Sequence, residues 1–290
     1  MNSTLGTTTR YLDVTGGRIA YDDTPGAGVP VVLLPGMLDK RSAYRHLAPL
    51  LTAAGHRVVT MDLRGLGESS TGFDSYTPAA IAEDLVALLA HLDLRGAVLV
   101  GSSYTGATVV RAAALAPERT GGVVLIDAFI ENLPLNGFQK ALFGLVGPLV
   151  ATFPGLWGAL QKFYYPTERP ADFDAYRADL SAMLREPARK AALRGYLGGD
   201  SAPVGWCAAV DVPALVLMGD KDPDFPKPEL IADRQATALR GRKVMIGNAG
   251  HYPMASHPRA VADALLPFLA GLAGEPNETD EPNEPNEDAR

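Results

Sequence analysis

At 290 residues, with 47% apolar and 20% charged positions, the chain has the make-up of one globular domain that can bury a sizeable core. Its formal charge of −7 is concentrated in residues 275–290, which hold seven carboxylates and one arginine; there is no basic stripe of the kind that binds nucleic acid. No stretch approaches the ~20 apolar residues of a membrane span, and a single cysteine, Cys207, excludes an internal disulfide.

The N-terminal residues 1–9 have neither a basic start nor an apolar core, so they read as a flexible start and not a signal peptide. With Cys207 suited to a reducing compartment, this gives a cytoplasmic expectation. Arg10–Val14 and Arg18–Tyr21, joined at Gly16-Gly17, read as a hairpin. A strand follows at Val31–Leu34, then a helix near 41–54. The next strand is Arg57–Met61 and the next helix runs from about Pro78 to Leu92. Ala97–Val100 is an apolar run that enters Gly101-Ser102-Ser103-Tyr104-Thr105-Gly106 and then a helical pattern over 105–118. Val123–Ile126 is a strand ending at Asp127. Strands at 213–219 and 243–246 bracket a helix near 230–239, and a last helix spans 258–272. This alternation predicts an α/β fold: a mostly parallel sheet of about eight strands with helices on both faces.

The stretch around Ser103 is the most informative. A strand running into a sharp turn and then a helix, with small residues flanking a serine, has the layout of a nucleophile elbow. Gly101, Ser103 and Thr105 fit small-x-Ser-x-small; threonine stands where glycine usually closes the motif, and Gly106 comes one step later. A serine hydroxyl needs a base, and the base needs an orienting carboxylate. His251, in Gly250-His251-Tyr252-Pro253, follows the last strand. Asp222, in Gly219-Asp220-Lys221-Asp222, follows the strand before it. Asp220, two residues earlier, and Asp127 remain alternative acids. His46, His56, His91 and His257 follow no strand in a suitable place and read as structural or surface residues.

The order Ser103, Asp222, His251 resembles that of the α/β-hydrolase fold superfamily over roughly residues 10–272. Leu33-Leu34-Pro35-Gly36-Met37 and Asp62-Leu63-Arg64-Gly65-Leu66-Gly67-Glu68-Ser69 also match its loops. Two departures stand out: Pro35-Gly36 replaces the common His-Gly, and Ser102 replaces a common histidine. The resemblance implies a serine hydrolase whose oxyanion hole is formed by the backbone N–H groups of Met37 and Tyr104. It implies structural roles for Asp62 and Arg64. It gives the acid position after the Val123–Ile126 strand, at Asp127, a precedent in some relatives. Sister enzymes of similar layout, such as epoxide hydrolases, use an aspartate nucleophile, which Ser103 excludes here.

Between Phe129 and Pro203 the alternation breaks into helical pattern. Phe138, Leu142, Leu145 and Leu149 share one helical face; Val146, Val150, Phe153, Trp157 and Leu160 form a second apolar line. By resemblance this is a cap, about residues 129–203, inserted between the sixth and seventh strands. Trp157, Phe163, Tyr164 and Tyr165 are candidates to line an apolar pocket over Ser103. Residues 273–290 repeat Glu-Pro-Asn-Glu and read as a disordered acidic tail outside the 10–272 domain.

The expected function is hydrolysis of an ester, lactone or thioester of an apolar small molecule through an acyl-enzyme. Perhydrolysis with haloperoxidase activity and carbon–carbon bond hydrolysis are alternatives on the same triad; a non-catalytic ligand-binding module is the alternative from another class. No cofactor or metal is called for, since no histidine or cysteine cluster has ligand spacing. The only expected partner is the small-molecule substrate, with no nucleic acid or membrane, and the sequence sets no oligomeric state.

Overall fold

The computed structural model describes residues 8–130, 148–150, 152–153, 155–198 and 204–274. Eight strands form one sheet. The hairpin strands are β1 (Arg10–Val14) and β2 (Gly17–Thr24). They are followed by β3 (Gly28–Leu34), β4 (His56–Met61), β5 (Ala97–Ser102), β6 (Thr120–Ile126), β7 (Ala214–Gly219) and β8 (Arg242–Ile246). The spatial order is β1-β2-β4-β3-β5-β6-β7-β8. β2 runs antiparallel to β1 and to β4, and every pair from β4 to β8 is parallel. The order reverses around β3, whose neighbours in the sheet are β4 and β5. In such sheets the crevice beyond the strand C-termini at the reversal is where ligands bind.

The near-continuous apolar runs reflect burial on both faces. Alternate residues go to opposite layers. Val32, Leu34, Leu99, Val123, Leu125, Val216 and Met218 join one core cluster. Helices α2 (Pro78–His91) and α3 (Thr105–Leu115) supply its other wall through Ile81, Leu85, Leu88, Val109 and Val110. Val31, Leu33, Val58, Val98, Val100, Val124, Ile126, Leu215 and Leu217 face the other way. There they meet Ala48 and Leu51 of α1 (Ala48–Ala53) and Val261, Leu265, Phe268 and Leu269 near the C-terminus.

Two expected helices are shorter in the structure. The 41–54 segment divides into a 3₁₀ turn at Arg41–Tyr44 and the short α1. Pro49 sits in the first turn of α1; one turn further inside a longer helix its ring would strike the carbonyl four residues back. The elbow helix stops at Leu115 and not at 118. Ala116 leaves helical geometry at φ −133°, as the residue before a proline tends to do.

Between β6 and β7 the described residues form α4 (Gly155–Leu160), α5 (Phe173–Leu184), α6 (Lys190–Gly198) and 3₁₀ turns at Pro187–Arg189 and Val204–Ala209. Phe138, Leu142, Leu145 and Val146 lie outside the described residues. The second apolar line is interrupted. Val150 and Trp157 are buried, but Phe153 falls between helices and is exposed. The inserted helices pack on loops at the strand C-termini. The Arg189 guanidinium donates to the carbonyls of Gly65 and Gly67 at 2.9 and 2.7 Å, and the Tyr196 hydroxyl donates to that of Arg64 at 2.9 Å. Beyond β7 come α7 (Pro228–Ala238), the short α8 (Pro253–Ser256) and α9 (Pro258–Leu272). No helix among the described residues is long and apolar enough to cross a membrane.

Candidate active site

Ser103 follows β5 directly and adopts φ +53°, in the left-handed region that a non-glycine residue seldom enters. The surroundings hold it there. Its N–H donates to the Ile126 carbonyl at 3.0 Å, and its own carbonyl accepts from Phe129 at 2.9 Å and Gly106 at 3.1 Å. The tightness explains the flanking glycines. A Cβ at Gly101 would strike the Thr105 carbonyl, and one at Gly106 would strike the Ala128 side chain. Thr105 is tolerated in a glycine position because its hydroxyl has work inside the turn. It accepts from Ser102 N–H at 3.0 Å and lies 3.1 and 2.9 Å from the carbonyls of Leu34 and Ser102.

Gly36 brings the loop after β3 against the serine. A Cβ there would lie 3.1 Å from Cβ and 3.6 Å from Oγ of Ser103. Met37 is next in that loop, and Tyr104 precedes the first turn of α3. Neither backbone N–H has an acceptor among the described residues. The Tyr104 side chain turns away, donating to the Tyr76 carbonyl at 2.9 Å.

Asp222 and His251 meet at the ends of β7 and β8. His251 Nδ1 lies 2.7 Å from Asp222 Oδ2, with both side chains buried. Asp222 Oδ1 accepts from the Asp224 N–H at 2.9 Å, which fixes the carboxylate plane. The His251 N–H donates to the Tyr164 carbonyl at 3.1 Å, tying the loop to the inserted segment. Asp220 lies beside Lys221 instead, 3.6 Å from its ammonium. Asp127, fully buried at φ +44°, accepts from the Gly219 N–H at 2.8 Å. One side-chain nitrogen or oxygen atom each of Asp127, Asp222 and His251 lies within 4.8 Å of the other two.

A third carboxylate completes the surroundings. Asp224 Oδ2 lies 3.5 Å from His251 Nε2. Burial pushes the Asp224 carboxyl up to about 6, against the attraction of His251 and with the repulsion of Asp222. Burial disfavours the His251 imidazolium, but the charges of Asp222 and Asp224 outweigh it and shift the group upward. In this state no hydrogen bond joins Ser103 Oγ to His251 Nε2 among the described residues.

Rings enclose the imidazole. Tyr164, Phe129 and Phe225 lie 5.3, 6.1 and 6.4 Å from it between centroids, and Tyr252 meets it edge-on at 5.3 Å. Of the expected pocket residues, Tyr164 lies against the imidazole. Trp157 is buried behind it, at 5.9 Å. Phe163 is 61% exposed, its ring edge-on to that of Tyr164 at 6.0 Å. Tyr165 is buried away from the imidazole, stacked on Tyr252 and edge-on to Phe173. A separate open hollow of about 540 Å³ between β8 and α9 is lined by Arg242, Lys243 and Asp263 and by none of the triad candidates.

The loop after β4 is held by charge. Asp62 accepts from the N–H groups of Arg41 at 2.7 Å and Glu68 at 2.9 Å, and pairs with the Arg41 guanidinium. Arg41 also lies 3.0 Å from Asp22. Arg64 pairs with Asp84. A Cβ at Gly67 would collide with the Asp62 carboxylate. Sequence reading missed Arg41 because Lys40-Arg41 looks like any solvated pair. It passed over Asp224 as well, although Pro223 places that residue in the same turn as Asp222.

The sequence matches the profile of the Alpha/beta hydrolase family over residues 31–264. Epoxide hydrolase A of Mycobacterium tuberculosis is 26% identical over 91% of this chain and 98% of its own. The non-heme chloroperoxidase of Streptomyces lividans is 27% identical over 88% of this chain and 96% of its own. Among solved structures, a thermophilic esterase from Thermogutta terrifontis superposes with a TM-score of 0.73 at 25% identity, covering 91% of this chain and 99% of the esterase. The chain belongs to the alpha/beta hydrolase family.

Proposed function

We propose that this protein is a serine hydrolase of carboxylic esters, thioesters or lactones that works through an acyl-enzyme. The observation that carries the reading is the buried 2.7 Å pair of His251 and Asp222, together with a Ser103 held at φ +53° directly after β5. Asp222 holds the Nδ1 proton, which leaves Nε2 as the proton acceptor. Ser103 Oγ attacks the substrate carbonyl carbon while Nε2 takes its proton; the Oγ–Nε2 hydrogen bond forms as the substrate complex tightens. The Met37 and Tyr104 N–H groups stabilise the oxyanion, each such donor contributing about 3 kcal/mol in the transition state. The imidazolium then protonates the leaving group, and water activated by His251 releases the acid.

The epoxide hydrolase relative does not redirect this reading. A serine in the nucleophile position forms an ester from an acyl group, whereas an aspartate can be alkylated by an epoxide. The chloroperoxidase relative supports a second use of the same acyl-enzyme, with hydrogen peroxide replacing water to give a peracid. A fluorophosphonate probe tests the central claim: it should label the wild-type chain once, at Ser103, and leave Ser103→Ala unlabelled. A parallel assay of p-nitrophenyl esters, with and without peroxide and bromide, separates hydrolysis from perhydrolysis. An unlabelled, folded wild type that turns over no ester would overturn the proposal in favour of a ligand-binding module.

A further inference from the structure

Asp127 lies outside the proposed triad, yet a carboxyl oxygen of it lies within 4.8 Å of the triad's acid and base. It is fully buried, and its backbone is held at φ +44° directly after β6. Oδ1 takes the Gly219 N–H at 2.8 Å. Oδ2 is buried with no N–H or hydroxyl donor. The groups facing Asp127 are Asp222 from the loop after β7 and His251 from the loop after β8, with Asp224 beyond the imidazole.

Two buried carboxylates with oxygens within 4.8 Å of each other oppose one another's ionisation, so one of them holds a proton more tightly. The other oxygens decide which one keeps the proton. Asp222 is committed as an acceptor at both: Oδ1 to the Asp224 N–H and Oδ2 to His251 Nδ1. Asp127 is an acceptor at Oδ1 only, and its Oδ2 lacks a donor because it can itself be one. We propose that Asp127 holds a proton at neutral pH and donates it as a hydrogen bond to the Asp222 carboxylate, acting as a positioning residue for the Asp222–His251 pair.

Burial raises the Asp127 carboxyl well above the ordinary range, and the charge of Asp222 raises it further. The arrangement has a use. An ionised Asp127 would add to the negative charge that Asp222 and Asp224 already place around the imidazole and favour the imidazolium further, which cannot take a proton from Ser103. A neutral Asp127 orients Asp222 without adding that charge.

The kinetic arm of the test rests on the esterase reading; the spectroscopic arm does not. Difference infrared spectra of the full-length wild type and Asp127→Asn at pH 7 should show one protonated-carboxyl band that the variant lacks. Asparagine keeps an acceptor for Gly219 and an N–H for Asp222. Its kcat/KM on a p-nitrophenyl ester should therefore stay within about threefold of wild type, with the acid limb of the pH profile unmoved. Asp127→Ala loses the donor and should fall about tenfold to a hundredfold. If the alanine variant does not fold, the asparagine spectra and profile decide alone. The proposal is wrong if Asp127→Asn removes no protonated-carboxyl band, if it shifts the acid limb as loss of a charge would, or if metal analysis finds a stoichiometric cation that Asp127→Asn abolishes.

Discussion

His251 Nε2 faces the Asp224 carboxylate at 3.5 Å, on the side of the ring opposite Asp222. The imidazole thus lies between two acids. Asp222 lies against Nδ1, while Asp224 favours the charged ring, which in the proposed mechanism opposes proton uptake from Ser103. Asp224→Asn should therefore lower the pKa of His251 and extend activity to more acidic pH. An opposite charge at this range typically shifts a pKa by about 1–3 units, so the acid limb of kcat/KM should move down by roughly one unit or more. An unmoved limb would show that Asp224 does not sense the charge on His251.

Asp224 should also affect stability, with a sign set by its raised pKa. A carboxyl raised from 3.8 to about 6 binds its proton more tightly in the folded chain. Its contribution is fully present below pH 3.8 and is lost as pH rises through 6. Asp224→Asn removes that loss. Relative to wild type, the variant should gain stability between pH 4 and pH 7, by up to about 3 kcal/mol at 1.4 kcal/mol per unit. Urea denaturation at the two pH values checks this. A gap that narrows toward pH 7 contradicts the burial assigned to Asp224.

Ser103 and the Asp222–His251 pair should behave as one unit. Ser103→Ala and His251→Ala should each remove nearly all ester turnover, with the double variant little worse than either. Asp222→Asn should cost about 10³–10⁴ in kcat by disturbing the tautomer. Circular dichroism on the same samples guards against unfolding. Substantial turnover by folded Ser103→Ala would remove the serine from the mechanism.

The strands and loops of this site were legible because each rests on a local pattern. Apolar runs mark strands buried on both faces, and the loop motifs around Ser103, Asp222 and His251 sit where those runs end. Thr105 could not be placed from sequence, since its fit depends on carbonyls of Leu34 and Ser102 that only the folded turn presents. Arg41 was illegible for a similar reason: Asp22 of β2 and Asp62 and Glu68 of the loop after β4 converge on it from two separate segments. The aromatic run 163–165 shows the limit of composition. Three adjacent rings take three environments: Phe163 exposed, Tyr164 against His251, and Tyr165 stacked on Tyr252.

Gly101 gives a sharp test of the elbow. An added methyl meets the Thr105 carbonyl, which is backbone and cannot rotate away. Gly101→Ala should destabilise the fold by about 1–3 kcal/mol, the usual range for overpacking. It should also displace Ser103, so fluorophosphonate labelling should slow more than stability alone explains. Thr105→Gly, which adds no atom to the turn but loses the buried hydroxyl's hydrogen bonds, should keep labelling at a measurable rate. Wild-type stability and labelling in Gly101→Ala would mean that the turn is looser than described.

Substrate preference follows from the rings around His251. Phe129, Tyr164 and Phe225 present carbon surface at the imidazole, while Asp224 places a negative charge beside it. Both features disfavour anionic acyl groups and favour apolar ones. Each methylene that leaves water is worth up to ~0.8 kcal/mol, so kcat/KM should rise a few-fold per added carbon until the pocket is filled. Tyr164→Ala removes a ring from the imidazole's surroundings and should flatten the series. Phe163→Ala, at an exposed position, should leave it unchanged. The measurement is kcat/KM on p-nitrophenyl acetate through octanoate for the three proteins. A falling series from acetate onward, or faster turnover of a dicarboxylate monoester, would mean that the acyl group binds away from these rings, with Ser103 and His251 unaffected as the reacting pair.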